Sequence, residues 1–177
     1  MKDLPIAIVG AGTAGLASAI LLARQGWPVT LYERVADLQP VGAGILLQPS
    51  GLAALRHIGL LDECTTLGAP VSRLFGTSAC AQRVILDTRY AHWQADSFGL
   101  GIHRGVLMTA LLSAARAAGV TIRTGIAISR FVQSPGHVRL LTDDGRGNEA
   151  VLGEHSALIL ADGTRSQLRA QMQVRQA

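Results

Sequence analysis

Gly10, Gly12 and Gly15 stand at G-x-G-x-x-G spacing, and a carboxylate, Glu33, closes the stretch that opens with them. Residues of these types do not make or break bonds; they grip. Bare glycine backbone lets N–H groups approach a diphosphate, and a carboxylate accepts hydrogen bonds from sugar hydroxyls. Such a grip works only if the flanking chain holds the glycines and the acid at one place.

The flanks have the pattern for it. Leu4 and Ile6–Val9 form an apolar run of the length of a buried parallel strand. After the glycines, Leu16, Ala19, Ile20 and Ala23 recur at i, i+3, i+4, i+7, which is helical period, and Gly26 supplies a stop. A second strand, Val29–Tyr32, then delivers Glu33. In this βαβ unit Gly10 allows the tight turn, Gly12 lets backbone approach a pyrophosphate, and Gly15 lets helix and strand pack closely. The helix then points its free N–H groups and positive dipole end at the phosphates. A 2′-phosphate beside Glu33 would put like charges ~4 Å apart, unfavourable by about 4 kcal/mol at an effective dielectric near 20. This favours FAD or NAD over NADP at this site. Arg34 weighs the other way, because an arginine there can receive a 2′-phosphate.

Composition narrows the remaining classes. The 177 residues suit one domain, and 49% hydrophobic with 16% charged residues suits an α/β protein with a buried sheet. The net charge of +4 comes from scattered arginines, and aromatic residues make up only 4%. No basic run interleaved with stacking rings points to nucleic acid, and the excess positive charge suits anionic cofactors. Cys64 and Cys80 are too few for a zinc site or a CxxC pair and read as small core residues in a reducing compartment. No ~20-residue apolar span suggests a membrane segment, and the expected location is cytoplasmic.

Along the chain, residues 34–48 read as a loop with a second glycine pair, Gly42 and Gly44. Pro49 and Ser50 start a helix carrying Leu52, Leu55 and Ile58, and Gly59 breaks it. A short helix follows with Leu60, Cys64 and Leu67 inward; His57 beside it reads as an ordinary partly exposed histidine. Residues 71–76 and 83–88 read as strands outside the nucleotide sheet, with Tyr90, His92 and Trp93 after them. From His103 to Gly119 runs an amphipathic helix with Leu107, Leu111, Ala114, Ala115 and Ala118 on one side. Arg104 at its start is a cation where the dipole disfavours one, so a polar or anionic partner is expected. Residues 120–125 give a further parallel strand. Residues 127–153 give a meander, with Asp143 and Asp144 as a turn pair. Residues 157–161 form a buried strand entering Asp162-Gly163, and 164–169 begin a helix.

Four stretches together resemble one family, the single-component (group A) FAD-dependent aromatic monooxygenases of the salicylate and p-hydroxybenzoate hydroxylase type. They are GAGTAG with Glu33-Arg34, VGAGILLQPSG, IHRGVLMTALL and LADGTRSQLR, in the family's order. The resemblance implies a Rossmann-like FAD-binding α/β domain with a β-meander over residues 1–70 and 98–177, and the start of a substrate-domain sheet at 71–97. It implies that Gly10, Gly12, Thr13, Ala14 and Gly15 hold the FAD pyrophosphate and Glu33 its adenosine ribose. Arg34 would lie near the adenosine end, Gly42 and Gly44 along the path to the isoalloxazine ring, and Arg104 at the ribityl and phosphate region. Asp162 and Gly163 match the DG motif implicated in FAD and NADPH binding, with Arg165, Ser166 and Arg169 as its usual context.

The implied chemistry is the cofactor's. NADPH or NADH reduces the flavin, O₂ adds at C4a, and one oxygen passes to a small aromatic, phenolic substrate; no metal and no nucleophilic side chain is required. Two departures stand out: Leu160 replaces a usual small residue before Ala161-Asp162-Gly163, and Ser50 replaces a frequent Asn. The family continues with more substrate-binding sheet, a second flavin-contacting Gly-Asp motif and a long helix. This chain therefore reads as an N-terminal part, expected to retain FAD weakly and to hydroxylate poorly alone. Two other readings stay open at this point: a related FAD-dependent reductase or dehydrogenase, and a non-catalytic nucleotide-binding module.

Overall fold

A computed structural model describes residues 4–39, 42–80, 83–143 and 149–172. Along the chain run β1 (Ile6–Val9), α1 (Thr13–Arg24), β2 (Val29–Tyr32), β3 (Gly44–Leu47), α2 (Pro49–His57), α3 (Leu61–Thr66), β4 (Ala69–Val71), β5 (Arg73–Thr77), β6 (Val84–Arg89), β7 (Gly99–His103), α4 (Arg104–Ala117), β8 (Thr121–Arg123), β9 (Ile128–Ser134), β10 (His137–Asp143), β11 (Glu149–His155) and β12 (Ala157–Leu160). Short 3-10 segments lie at Tyr90–His92 and Leu168–Met172. Contacts divide the chain into two compact units, one of Met1–Gln39 with Leu111–Ala177 and one of Pro40–Ala110.

The first unit is built on a parallel sheet in the order β12-β1-β2-β8. β1 has a neighbour on each side, with Ile6 opposite both Val29 and Ala157, and all four of its residues are buried. This is why its sequence is apolar without alternation. α1 packs on β1 and β2 through Gly15, Leu16, Ala19 and Ile20. It stops where the Gly26 N–H bonds the Ala23 carbonyl, and Gly26 takes φ +79°, which a glycine adopts at little cost. The meander is an antiparallel sheet in the order β11-β10-β9, turning at Gly136 with φ +82°. Ala7, Val9, Tyr32, Leu140 and Leu168 form a buried cluster that joins the parallel sheet, the meander and the last 3-10 segment, with Leu158 and Leu160 packed against it.

A buried polar pair lies inside this unit. His155, at the end of β11, is 2% exposed, and its Nε2 lies 3.1 Å from the Tyr32 hydroxyl, the two rings meeting edge to face. Its Nδ1 has no hydrogen-bond partner among the described residues. Burial pushes the His155 imidazole below its ordinary range. The Val138 backbone works against that shift, and the Arg123 charge adds to it. The Arg123 guanidinium lies over the Tyr32 ring, 5.6 Å from its centroid.

The second unit holds the antiparallel sheet β3-β7-β4, the hairpin β5-β6, and helices α2 and α3, which pack together and bury Leu52, Leu55, Ile58, Leu60 and Cys64. The hairpin stands outside the parallel sheet, as its sequence suggests. An Arg73–Asp87 pair bonds bidentately across it, and the guanidinium lowers the Asp87 carboxyl below its usual range.

Several expectations need correction. Residues 44–47 are a strand, not loop, because β7 offers a partner ladder. β7 is not among the expected strands; a Cβ on its Gly99 would meet the Tyr90 hydroxyl at 2.8 Å. The stretch 71–76 is not one strand; Val71 ends β4 and Arg73 begins β5. Leu67 is 54% exposed instead of inward, and Cys80 is exposed, so only Cys64 behaves as a core thiol. Helical structure after Asp162 begins only at Leu168. Asp144 of the expected turn pair lies outside the described residues, as do 173–177.

Candidate nucleotide-binding site

The crossover from β1 to α1 carries the first cluster. Gly10 has φ +104°, and a Cβ there would collide with the backbone of Ala161 and Asp162, where β12 ends beside β1. A Cβ on Gly15 would strike the carbonyl oxygen of Gly10. These two glycines serve packing. Gly12 is different: it has φ −74°, which any residue adopts, and nothing lies within 4 Å of a Cβ built on it. Open space stands above Gly12 in front of the helix.

Among the described residues, no side chain caps that helix end. α1 has no side-chain cap and no acid in its first turn, and its first internal bond runs from the Leu16 N–H to the Gly12 carbonyl. The N–H groups of Thr13, Ala14 and Gly15 therefore lack helical acceptors. Thr13 and Ala14 are exposed. Free donors, a positive dipole end and a vacant approach are the features that suit an anion.

Glu33 is fixed at the mouth of the same crossover. Its Oε2 accepts the Ala11 N–H at 2.8 Å, its Oε1 accepts the Val35 N–H at 2.9 Å, and its own N–H bonds the Arg123 carbonyl at 2.9 Å. Each carboxylate oxygen keeps a lone pair for a hydroxyl donor. The carboxylate is thus fixed in place with acceptor capacity to spare.

Glu33 lines a cleft of about 200 Å³ with Val9, Gly10, Tyr32 and Arg34 on one side and Asp162, Arg165, Gln167 and Leu168 on another. Ile126, Ala127 and Ile128 close it. Asp162 follows β12 into a turn in which Gly163 has φ +90° and its carbonyl accepts the Ser166 N–H. The Ser166 hydroxyl oxygen then accepts the Arg169 N–H. Arg34, Asp162 and Arg165 are therefore brought to the same cleft as Glu33. Leu160 is not among the residues lining it; its side chain packs against the buried cluster.

The sequence reading missed Ile126–Ile128. The one available signal is Gly125, whose φ of +71° allows its N–H to bond the Val35 carbonyl while the Ile126 N–H bonds the Glu33 carbonyl. That pairing folds the segment against the acid.

The remaining expected residues lie in the second unit. Gly44 opens β3 opposite His103, with only the Ile102 carbonyl near a Cβ built on it, at 3.8 Å. Gly42 has φ +125°, and a Cβ there would sit 3.1 Å from Cδ of Arg104. Arg104 is exposed at the start of α4 and forms no ion pair among the described residues. The anionic partner expected for it is not supplied by a side chain there. His92 is exposed and Trp93 is 70% exposed. No group of three or more His, Cys, Asp or Glu able to hold a metal occurs among the described residues. Nor, among them, is any helix long and apolar enough to cross a membrane.

Comparison with known proteins identifies the family. Residues 3–177 match the family described as FAD binding domain. The chain is 36% identical over 172 residues to 3-amino-4-hydroxybenzoate 2-monooxygenase of Streptomyces cremeus, covering 95% of this chain and 42% of that protein. It is also 36% identical over 169 residues to 6-hydroxynicotinate 3-monooxygenase of Bordetella bronchiseptica, covering 93% of this chain and 42% of that one. Among solved structures, p-nitrophenol 4-monooxygenase PnpA from Pseudomonas putida DLL-E4 superposes with a TM-score of 0.83 at 22% identity, over 97% of this chain and 44% of that one. The chain thus spans about two fifths of the length of the relatives it matches, and it belongs to the FAD binding domain family.

Proposed function

We propose that this chain forms the FAD-holding part of an NAD(P)H-dependent monooxygenase that hydroxylates a small aromatic substrate with O₂. The observation that carries the reading is the pairing of vacant space above Gly12 with a pre-fixed carboxylate, Glu33, at the same crossover. The names of the two relatives at 36% identity, both monooxygenases of aromatic acids, support the reaction class.

In this reading Gly10 and Gly15 shape the turn, and the open backbone at Gly12, Thr13 and Ala14 hydrogen-bonds the pyrophosphate. Glu33 orients the adenosine ribose, and Arg34 neighbours the adenosine end. Asp162 and Gly163 bound the cleft from the β12 side. Gly42, Gly44 and Arg104 serve the ribityl and ring-proximal stretch. FAD, when bound, supplies electron storage and oxygen activation. Residues 1–70 and 98–177 form the FAD-binding part, and the hairpin within 71–97 opens a substrate-side sheet.

The test is a titration of flavin fluorescence with the purified chain. Saturable quenching is expected, with an affinity that Glu33→Ala lowers at least about tenfold, the loss of one charge-assisted hydrogen bond or more. Preference for NAD over FAD, or no response to FAD, would overturn the reading. NADH or NADPH consumption in air with candidate phenols then tests the reaction class.

A further inference from the structure

Arg104 is held by three independent restraints, and none of them involves its charge. β7 ends at His103 and α4 begins at Arg104, so no linker separates strand from helix. The first restraint is the Arg104 backbone, whose N–H bonds the Ala43 carbonyl at 3.2 Å and extends the β3–β7 ladder by one step. The second is His103, whose Nδ1 accepts the Gly105 N–H at 3.2 Å. That is the bond of an N-cap residue to the second helical position. The third is Gly42, which takes φ +125° and leaves bare backbone where the Arg104 stem lies, with Cβ, Cγ and Cδ all within 3.7 Å of the missing Cβ position. What is left free is the guanidinium, exposed and without an ion pair among the described residues.

The choice of histidine is informative. Asn, Asp and Ser are better helix caps, but Asn and Asp are poor strand residues. Position 103 is both the last residue of a strand and the cap of a helix. An imidazole tolerates the strand and still offers a nitrogen acceptor. Without that cap, the first turn of α4 loses the bond that fixes the direction in which Arg104 leaves the strand.

We infer that His103 is a positioning residue for Arg104, and that Gly42 serves as the bed for the Arg104 stem, so that the guanidinium is presented in advance to an anionic group of the cofactor. This rests on the FAD reading above. It assigns Gly42 a different job from contact with the cofactor: making room for the arginine.

Two measurements on the full chain test it. The first needs no cofactor: ¹⁵N relaxation of the Arg104 Nε–Hε group in the free protein. His103→Leu should make that group more mobile, and His103→Asn, which keeps an acceptor for the Gly105 N–H, should restore wild-type order. The second is FAD titration of the same variants. His103→Leu should weaken binding about three- to tenfold, the size of a lost N-cap, and His103→Asn should stay within about twofold. In an Arg104→Ala background His103→Leu should add no further loss. Equal Arg104 mobility in wild type and His103→Leu would overturn the inference. So would an affinity loss that persists undiminished without Arg104, which would mark His103 as a general helix stabiliser. If the relaxation difference appears but the wild type does not bind FAD, the positioning role stands and the FAD reading fails.

Discussion

Strands β1 and β6 start alike and end in opposite surroundings. Ile6-Ala7-Ile8-Val9 and Val84-Ile85-Leu86 are both apolar runs of the same residue types. Every residue of β1 is buried, whereas every residue of β6 is exposed, with Ile85 at 70%. The difference lies in partners. β1 is paired on both edges and covered by α1 and the meander cluster, while β6 has β5 alone beside it among the described residues. Apolar sequence states what a strand can bury; only the neighbouring elements decide whether it does. A two-stranded hairpin is marginal by itself, and the pairing of Arg73 with Asp87 is a surface ion pair of little weight.

The comparison can be broken by mutation. The largest effect is expected at the glycine floor beneath β1 and α1. Gly15→Val drives a side chain into the Gly10 carbonyl, which is backbone and cannot yield. It should leave the chain unfolded at room temperature, a loss beyond about 4 kcal/mol, readable by circular dichroism. Next comes the matched pair of isoleucines. Ile8 is fully buried, so Ile8→Ala should cost about 2–5 kcal/mol in urea unfolding. Ile85→Ala should change stability by less than about 0.5 kcal/mol. A large loss at Ile85 would mean that the hairpin is covered in solution.

A smaller effect sharpens the account of the buried side. His155 is held neutral by burial between β10, β11 and Tyr32, with Arg123 as the nearby like charge. Because its folded value lies below its unfolded value, no penalty exists while both states are neutral. As pH falls from about 6.5 the unfolded chain takes the proton first, so stability declines until the folded imidazole also titrates, and then levels. Urea midpoints across pH 4–8 should show this decline, and His155→Gln should flatten it. An unchanged slope would contradict the buried-histidine account.

Much of the first unit was legible in the chain itself. The βαβ unit, β8, the meander and β12 announce themselves through runs, helical period and glycine stops, because local pattern and tertiary environment agree there. The family motifs likewise mark Gly10, Gly12, Gly15, Glu33 and Asp162 at one cleft or crossover. What escaped were features made by distant partners. β3 and β7 become strands by pairing with each other, and a Cβ on Gly99 would meet the Tyr90 ring. Ile126–Ile128 reach the cleft through bonds to residues 33 and 35. Tyr32 and His155 meet across more than a hundred residues, and neither carries a sequence signal for the other. Leu67 and Cys80 differ for the converse reason: helical spacing and residue type suggest burial, but both are exposed among the described residues.

The central claim is that the space above Gly12 is kept empty for a diphosphate and not for folding. Gly12→Val tests it directly, since the backbone there suits any residue and the added Cβ meets nothing within 4 Å. The account predicts a melting temperature within about 2 °C of wild type, together with FAD affinity reduced at least about tenfold in a fluorescence titration. Undiminished FAD binding by a stably folded Gly12→Val protein would contradict it.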